Sequence, residues 1–116
     1  MTTGDDVREV ALALPESSER LTWGTPGYRV RKKLFARIWD EPDVLVLWRE
    51  SPEERDALIE TEPDKFFKSG HYEGYPMVLV RLGAVDREEL TDLLVESWFL
   101  NAPKRLAAEY EGRLPE

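Results

Sequence analysis

At 116 residues, 41% of them hydrophobic and 10% aromatic, the chain has enough for one packed core and too little for a second independent one. With 24 acidic and 16 basic residues, the formal net charge of −8 argues against a general polyanion binder. The absence of cysteine excludes a disulfide framework, a thiolate metal site and a cysteine nucleophile.

The segment Met1–Asp6 has neither a basic stretch nor a long apolar core, so no secretory signal is read there and a cytoplasmic location is expected. Asp5 or Asp6 is expected to cap a first helix, in which Val7, Val10, Ala11 and Leu14 recur at helical spacing. Pro15 ends it. Strands are expected at Arg20–Trp23 and Tyr28–Arg31, around the turn cluster Gly24-Thr25-Pro26-Gly27. Lys32-Lys33 then leads to a third strand, Leu34–Trp39, and the turn Asp40–Asp43 to a fourth, Val44–Arg49. The longest apolar run, Val44–Trp48, is far short of the roughly 20 residues of a membrane span, so no membrane partner is expected.

Ser51-Pro52-Glu53-Glu54 opens a middle helix, with Ser at the N-cap, Pro at N1 and Glu at N3, that would carry Ala57, Leu58 and Ile59 inward. Pro63–Phe67 is expected to add one further turn, and Lys68–Pro76 to be loop or irregular hairpin. A later strand follows at Met77–Leu82. The longest helix opens at Val85 or Asp86, aims Leu90, Leu93, Leu94, Trp98 and Leu106 at the sheet, and breaks at Pro103. The expected class is α+β: an antiparallel meander plus a later strand, packed against N-terminal, middle and C-terminal helices, as a single domain over residues 1–116.

Catalysis finds little support in the residues. The one histidine, His71, sits in the expected loop Gly70–Gly74, no serine has a histidine at a recognisable motif spacing, and no nucleotide or metalloprotease motif occurs. Acidic pairs on the middle helix lack a glycine-centred calcium loop and read as a solvated face. No catalytic residue, metal or cofactor is therefore expected, and the chain is read as a non-enzyme.

Charge distribution is more informative. Residues 28–37 hold Arg29, Arg31, Lys32, Lys33 and Arg37 and no acid, whereas residues 50–67 hold seven acids against Arg55 and Lys65. A basic hairpin can track a phosphate backbone; equally, it can protect a sheet edge and pair with the helix acids. Trp39 and Trp48 lie on neighbouring expected strands. They either fill the core or, sharing an open face with Arg37, form a stacking platform for a base or another flat ligand.

A series of short motifs resembles the MmcQ/YjbR family of small bacterial proteins: Leu14-Pro15-Glu16, Trp23-Gly24-Thr25-Pro26, Tyr28–Ala36, Gly70-His71-Tyr72, Val85–Leu90 and Glu96–Lys104. The resemblance runs from about Asp6 to Leu106. It implies a CyaY-like, or "double wing", α+β fold and a DNA-binding role; many relatives carry a tryptophan where this chain has Tyr75-Pro76-Met77. Two functions are expected from residues and resemblance together. The first is weak DNA binding of low sequence specificity through Arg29, Arg31, Lys32, Lys33 and Arg37. The second is small-molecule or protein binding in a pocket between the tryptophan-bearing sheet and the His71 loop, lined by Trp39, Trp48 and His71.

Overall fold

The computed structural model describes residues 1–72 and 74–111, without the side chains of His71 and Glu111. Among these residues, a six-stranded antiparallel sheet in the order β1-β2-β3-β4-β6-β5 is packed against four helices, an α+β fold.

Helix α1 (Gly4–Ala13) starts at Thr3 rather than at Asp5 or Asp6: the Asp6 carboxylate accepts the Thr3 backbone N–H at 2.8 Å. It buries Val7, Val10 and Ala11 and stops before Pro15. Strand β1 (Ser17–Thr22) begins three residues earlier than expected, because β2 (Thr25–Val30) pairs with it along its whole length. The turn between them is only Trp23-Gly24, both at positive φ, so Pro26 and Gly27 lie inside β2. Strand β3 (Lys33–Ile38) follows the next turn, and β4 (Val44–Trp48) pairs with it over Ala36–Ile38.

Helix α2 (Pro52–Thr61) has the expected cap, Ser51 Oγ accepting from the Glu54 N–H at 3.1 Å. Its inward set differs from the expectation. Ala57 is exposed, Leu58 and Ile59 are half-buried, and the buried residue is Arg55. Phe66–Phe67, expected as a helical turn, is the short edge strand β5, its two rings on opposite sheet faces as period-2 geometry requires. Strand β6 (Met77–Arg81) is inserted between β4 and β5. Helix α3 (Arg87–Asn101) opens on an Asp86/Glu89 capping box and buries Leu90, Leu93, Leu94, Ser97 and Trp98 in one stripe. Pro103 separates it from α4 (Lys104–Glu111).

Strand alternation sorts the core into two clusters. Leu45, Leu47, Val78 and Val80 face the helices. Val44, Val46 and Leu79 face the other way, with Trp39, Phe67 and Met77 packed around them and Tyr72 in the same cluster. That second face is where a ligand can reach the sheet. No helix among the described residues is long and apolar enough to cross a membrane.

Candidate functional site

The open face carries a cleft of about 540 Å³. Its floor is Leu34, Val46 and Met77, and its walls are Trp23, Trp39, Trp48 and Tyr72. Among the described residues, the charged ones that complete it are Arg37 and Asp40. A cleft of this size, mostly apolar with few charged groups, has the form of a small-molecule site.

Arg37 is the unusual member. It stands on β3 opposite Gly27 of β2 and Val46 of β4, and only 5% of it is exposed. Its Nη1 donates to Thr25 Oγ1 at 2.9 Å, and that hydroxyl in turn donates to the Ile38 carbonyl. Its guanidinium carbon lies 5.3 Å from the Trp23 ring centroid and 5.1 Å from that of Trp39. Each contact supplies about 0.5–2 kcal/mol of cation–π attraction, depending on desolvation. No carboxylate pairs with it among the described residues. A buried guanidinium held by a hydroxyl and two indoles leaves its charge uncompensated, and such a charge favours an incoming anion.

Local sequence explains the placement. Gly27, opposite Arg37 in the ladder, has no room for a side chain: a Cβ there would come within 2.5 Å of Thr22 Oγ1 and 3.0 Å of Leu34 Cδ1, a residue of the cleft. Trp23 occupies a left-handed turn position at φ 52°, where a bulky side chain is strained, and stays 78% exposed at the cleft mouth. On the far side, Tyr72 packs on Trp39 with ring centroids 5.7 Å apart. Tyr72 is held by Arg55, 1% exposed, whose Nη1 donates to the carbonyls of Tyr72, Tyr75 and Met77. Arg49 clamps the end of β4 to α2 through Glu54, at 2.9 and 2.6 Å. These hydrogen bonds hold the Glu54 carboxyl below its usual range despite partial burial, which pushes the other way. The Glu96 carboxylate lies 3.1 Å from Arg49 Nη1, an ion pair without hydrogen-bond alignment.

The expected site residues separate. Trp39, Trp48 and Arg37 do share one open face. The His71 side chain lies outside the described residues, although its backbone is in the 3₁₀ turn that delivers Tyr72. Of the other basic residues, Arg29 is half-buried, its Nη2 3.4 Å from Thr22 Oγ1 and its Nε buried without a partner. Arg31 sits in the β2–β3 turn at φ 54° in a bidentate pair with Glu16, at 2.7 and 3.2 Å, which lowers the Glu16 pKa. Lys32 and Lys33 are exposed at the same turn with no ion pair among the described residues. Trp23, Tyr72 and Arg55 were not singled out from sequence as site residues. The first two lie in the motifs Trp23–Pro26 and Gly70–Tyr72, and that is the signal available for them. Arg55, one cation on an acidic helix, gives none.

Fold and cleft together define a small α+β protein whose antiparallel sheet is covered on one face by helices and presents an aromatic site on the other. The YjbR family model matches residues 12–100, and the chain belongs to that family. It is 31% identical over 124 residues to the uncharacterized protein Rv2570 of Mycobacterium tuberculosis (strain ATCC 25618 / H37Rv), covering 95% of this chain and 96% of that protein. The same identity and coverage hold for the uncharacterized protein Mb2600 of Mycobacterium bovis. Among solved structures it is similar to Deinococcus radiodurans protein DR2400, a DUF419 domain, with a TM-score of 0.75 and 29% identity over 99% of this chain and 91% of that one.

Proposed function

We propose that this protein is a non-enzymatic binding module for a small, flat, acidic molecule held in the open-face cleft. The observation that carries the reading is Arg37: buried, positioned by Thr25, flanked by two indoles and without a carboxylate partner among the described residues. The ligand supplies the missing anion, and its flat body stacks on Trp39 and Trp48. Titration of aromatic acids, followed by the indole N–H resonances of the four tryptophans, tests this. Trp23, Trp39 and Trp48 are expected to shift and Trp98, sealed in the core, to stay. Arg37→Met is expected to weaken binding about tenfold or more, the value of one charge-assisted bidentate contact. No shift of the three cleft indoles with any aromatic acid overturns the reading.

DNA binding is the second reading, favoured by the exposed pair Lys32 and Lys33 at the hairpin turn. Five free cations would give a salt slope of about −3 to −4.5 in log K against log salt. With Arg37 buried and Arg31 paired, this reading expects a slope near −2. Duplex titration at about 50 mM salt with Lys32→Ala/Lys33→Ala as control tests it, and equal association of both proteins removes the hairpin from the account.

A further inference from the structure

Among acidic flat molecules, the charges lining the cleft discriminate further. Among the described lining residues, Arg37 is the one cation and the exposed Asp40 the one carboxylate. Arg37 and Asp40 form no ion pair with each other, so a ligand in the cleft meets one positive and one negative charge in its lining. A ligand bearing one negative charge meets Arg37 and neutralises it. A ligand bearing two, such as a phosphate monoester near neutral pH, leaves one charge unbalanced and brings it against the Asp40 carboxylate, within a protein of net charge −8. Shape points the same way. The guanidinium carbon lies 5.3 and 5.1 Å from two indole centroids and Nη1 is committed to Thr25, so an anion must reach the remaining N–H groups past two flat rings. A planar carboxylate does so coplanar with its own aromatic ring, whereas a tetrahedral phosphate projects oxygens out of the plane.

We infer that the ligand class is a planar aromatic monocarboxylate, with Arg37 as its anchor and Asp40 as the residue that rejects dianions. This rests on the cleft reading above and adds the charge and geometry of the acid group.

The test compares three probes with one aromatic body, 2-naphthoate, 2-naphthamide and 2-naphthyl phosphate, by calorimetry on the full chain. Tryptophan indole N–H spectra of each mixture locate the binding. With the wild type, naphthoate is expected to bind about tenfold more tightly than the neutral amide, the worth of one charge-assisted contact. It is also expected to bind more tightly than the phosphate, against the order of total charge. Arg37→Met should erase the acid-to-amide preference. Asp40→Asn should raise the affinity for naphthyl phosphate relative to naphthoate by about fivefold, because one unit of negative charge leaves the cleft lining. If the phosphate binds the wild type as tightly as the carboxylate, or Asp40→Asn leaves the ratio unchanged, the monocarboxylate assignment is wrong while the cleft stands. If none of the three probes binds or shifts the cleft indoles, both the assignment and the cleft reading fall.

Discussion

Two of the four tryptophans, Trp98 and Trp23, occupy opposite extremes of environment, and the contrast separates folding from binding at single residues. Trp98 has no exposed surface, its Nε1 donates to the Pro15 carbonyl at 3.1 Å, and the Phe99 and Tyr110 rings lie 5.2 and 5.0 Å away. Truncating it leaves a large cavity and an unpaired carbonyl beside the end of α1. Trp98→Ala is therefore expected to cost about 3–5 kcal/mol in urea denaturation. Trp23 loses little on folding, so Trp23→Ala is expected to cost less than about 1 kcal/mol while loosening one wall around Arg37. A loss below about 1 kcal/mol for Trp98→Ala would mean that the indole is not the anchor its burial implies.

At the scale of elements, one hydroxyl ties the long helix to two strands. The β2–β3 register slips between Tyr28 and Arg29, so Phe35 is the extra residue of a bulge. The bulge also ends the β3–β4 ladder at Ala36, leaving the Phe35 carbonyl and the Trp48 N–H unpaired with each other. Ser97 of α3 fills the gap: its Oγ donates to the Phe35 carbonyl and accepts the Trp48 N–H at 3.0 Å. A serine that sequence motifs would have tested as a nucleophile is thus fully engaged by backbone. Ser97→Ala should strand two buried polar groups at a cost of about 1–3 kcal/mol, measurable by chemical denaturation. It should also broaden the Trp48 indole resonance, because Trp48 carries the cleft wall. An unchanged stability with an unchanged Trp48 signal would show that the strands close the gap without the hydroxyl.

Over the whole molecule, electrostatics oppose one another. A net charge of −8 repels itself, and protonation relieves that repulsion on acidification. Paired carboxylates act in the reverse direction. Glu54 is held below its ordinary value of 4.5 by Arg49, so its contribution is complete above 4.5 and is lost as pH falls through its lower folded value. Glu16 with Arg31 and Asp56 with Arg55 are shifted in the same direction. Glu54→Gln isolates the local effect, because total charge changes by one unit only. It is expected to cost about 1 kcal/mol near pH 7, reduced by the exposure of the pair, and the difference is expected to shrink as pH falls from 4.5 through the lowered folded value. Parallel stability curves for the two proteins from pH 7 to 3 would show that the Arg49 clamp contributes nothing to the acid response.

Local patterns determined the α+β class, the order of the elements apart from β5, the α2 and α3 starts, the break at Pro103 and the inward stripe ending at Trp98, because capping, proline sterics and helical period act within a few residues. The same patterns placed Trp39, Trp48 and Arg37 as a conditional platform. Periodicity alone left open whether that face is covered. Only the tertiary structure decided this, by inserting β6 between β4 and the short β5 and by sending the helices to the other face. It also buried Arg55 under the carbonyls of Tyr72, Tyr75 and Met77, and by pairing Arg31 with Glu16 and burying Arg37 between indoles it divided a run of basic residues that looks continuous in sequence. Each of those outcomes depends on contacts between residues far apart in the chain or on strand faces, and β3 slipped by one residue would turn Arg37 from the open face to the helix-covered one.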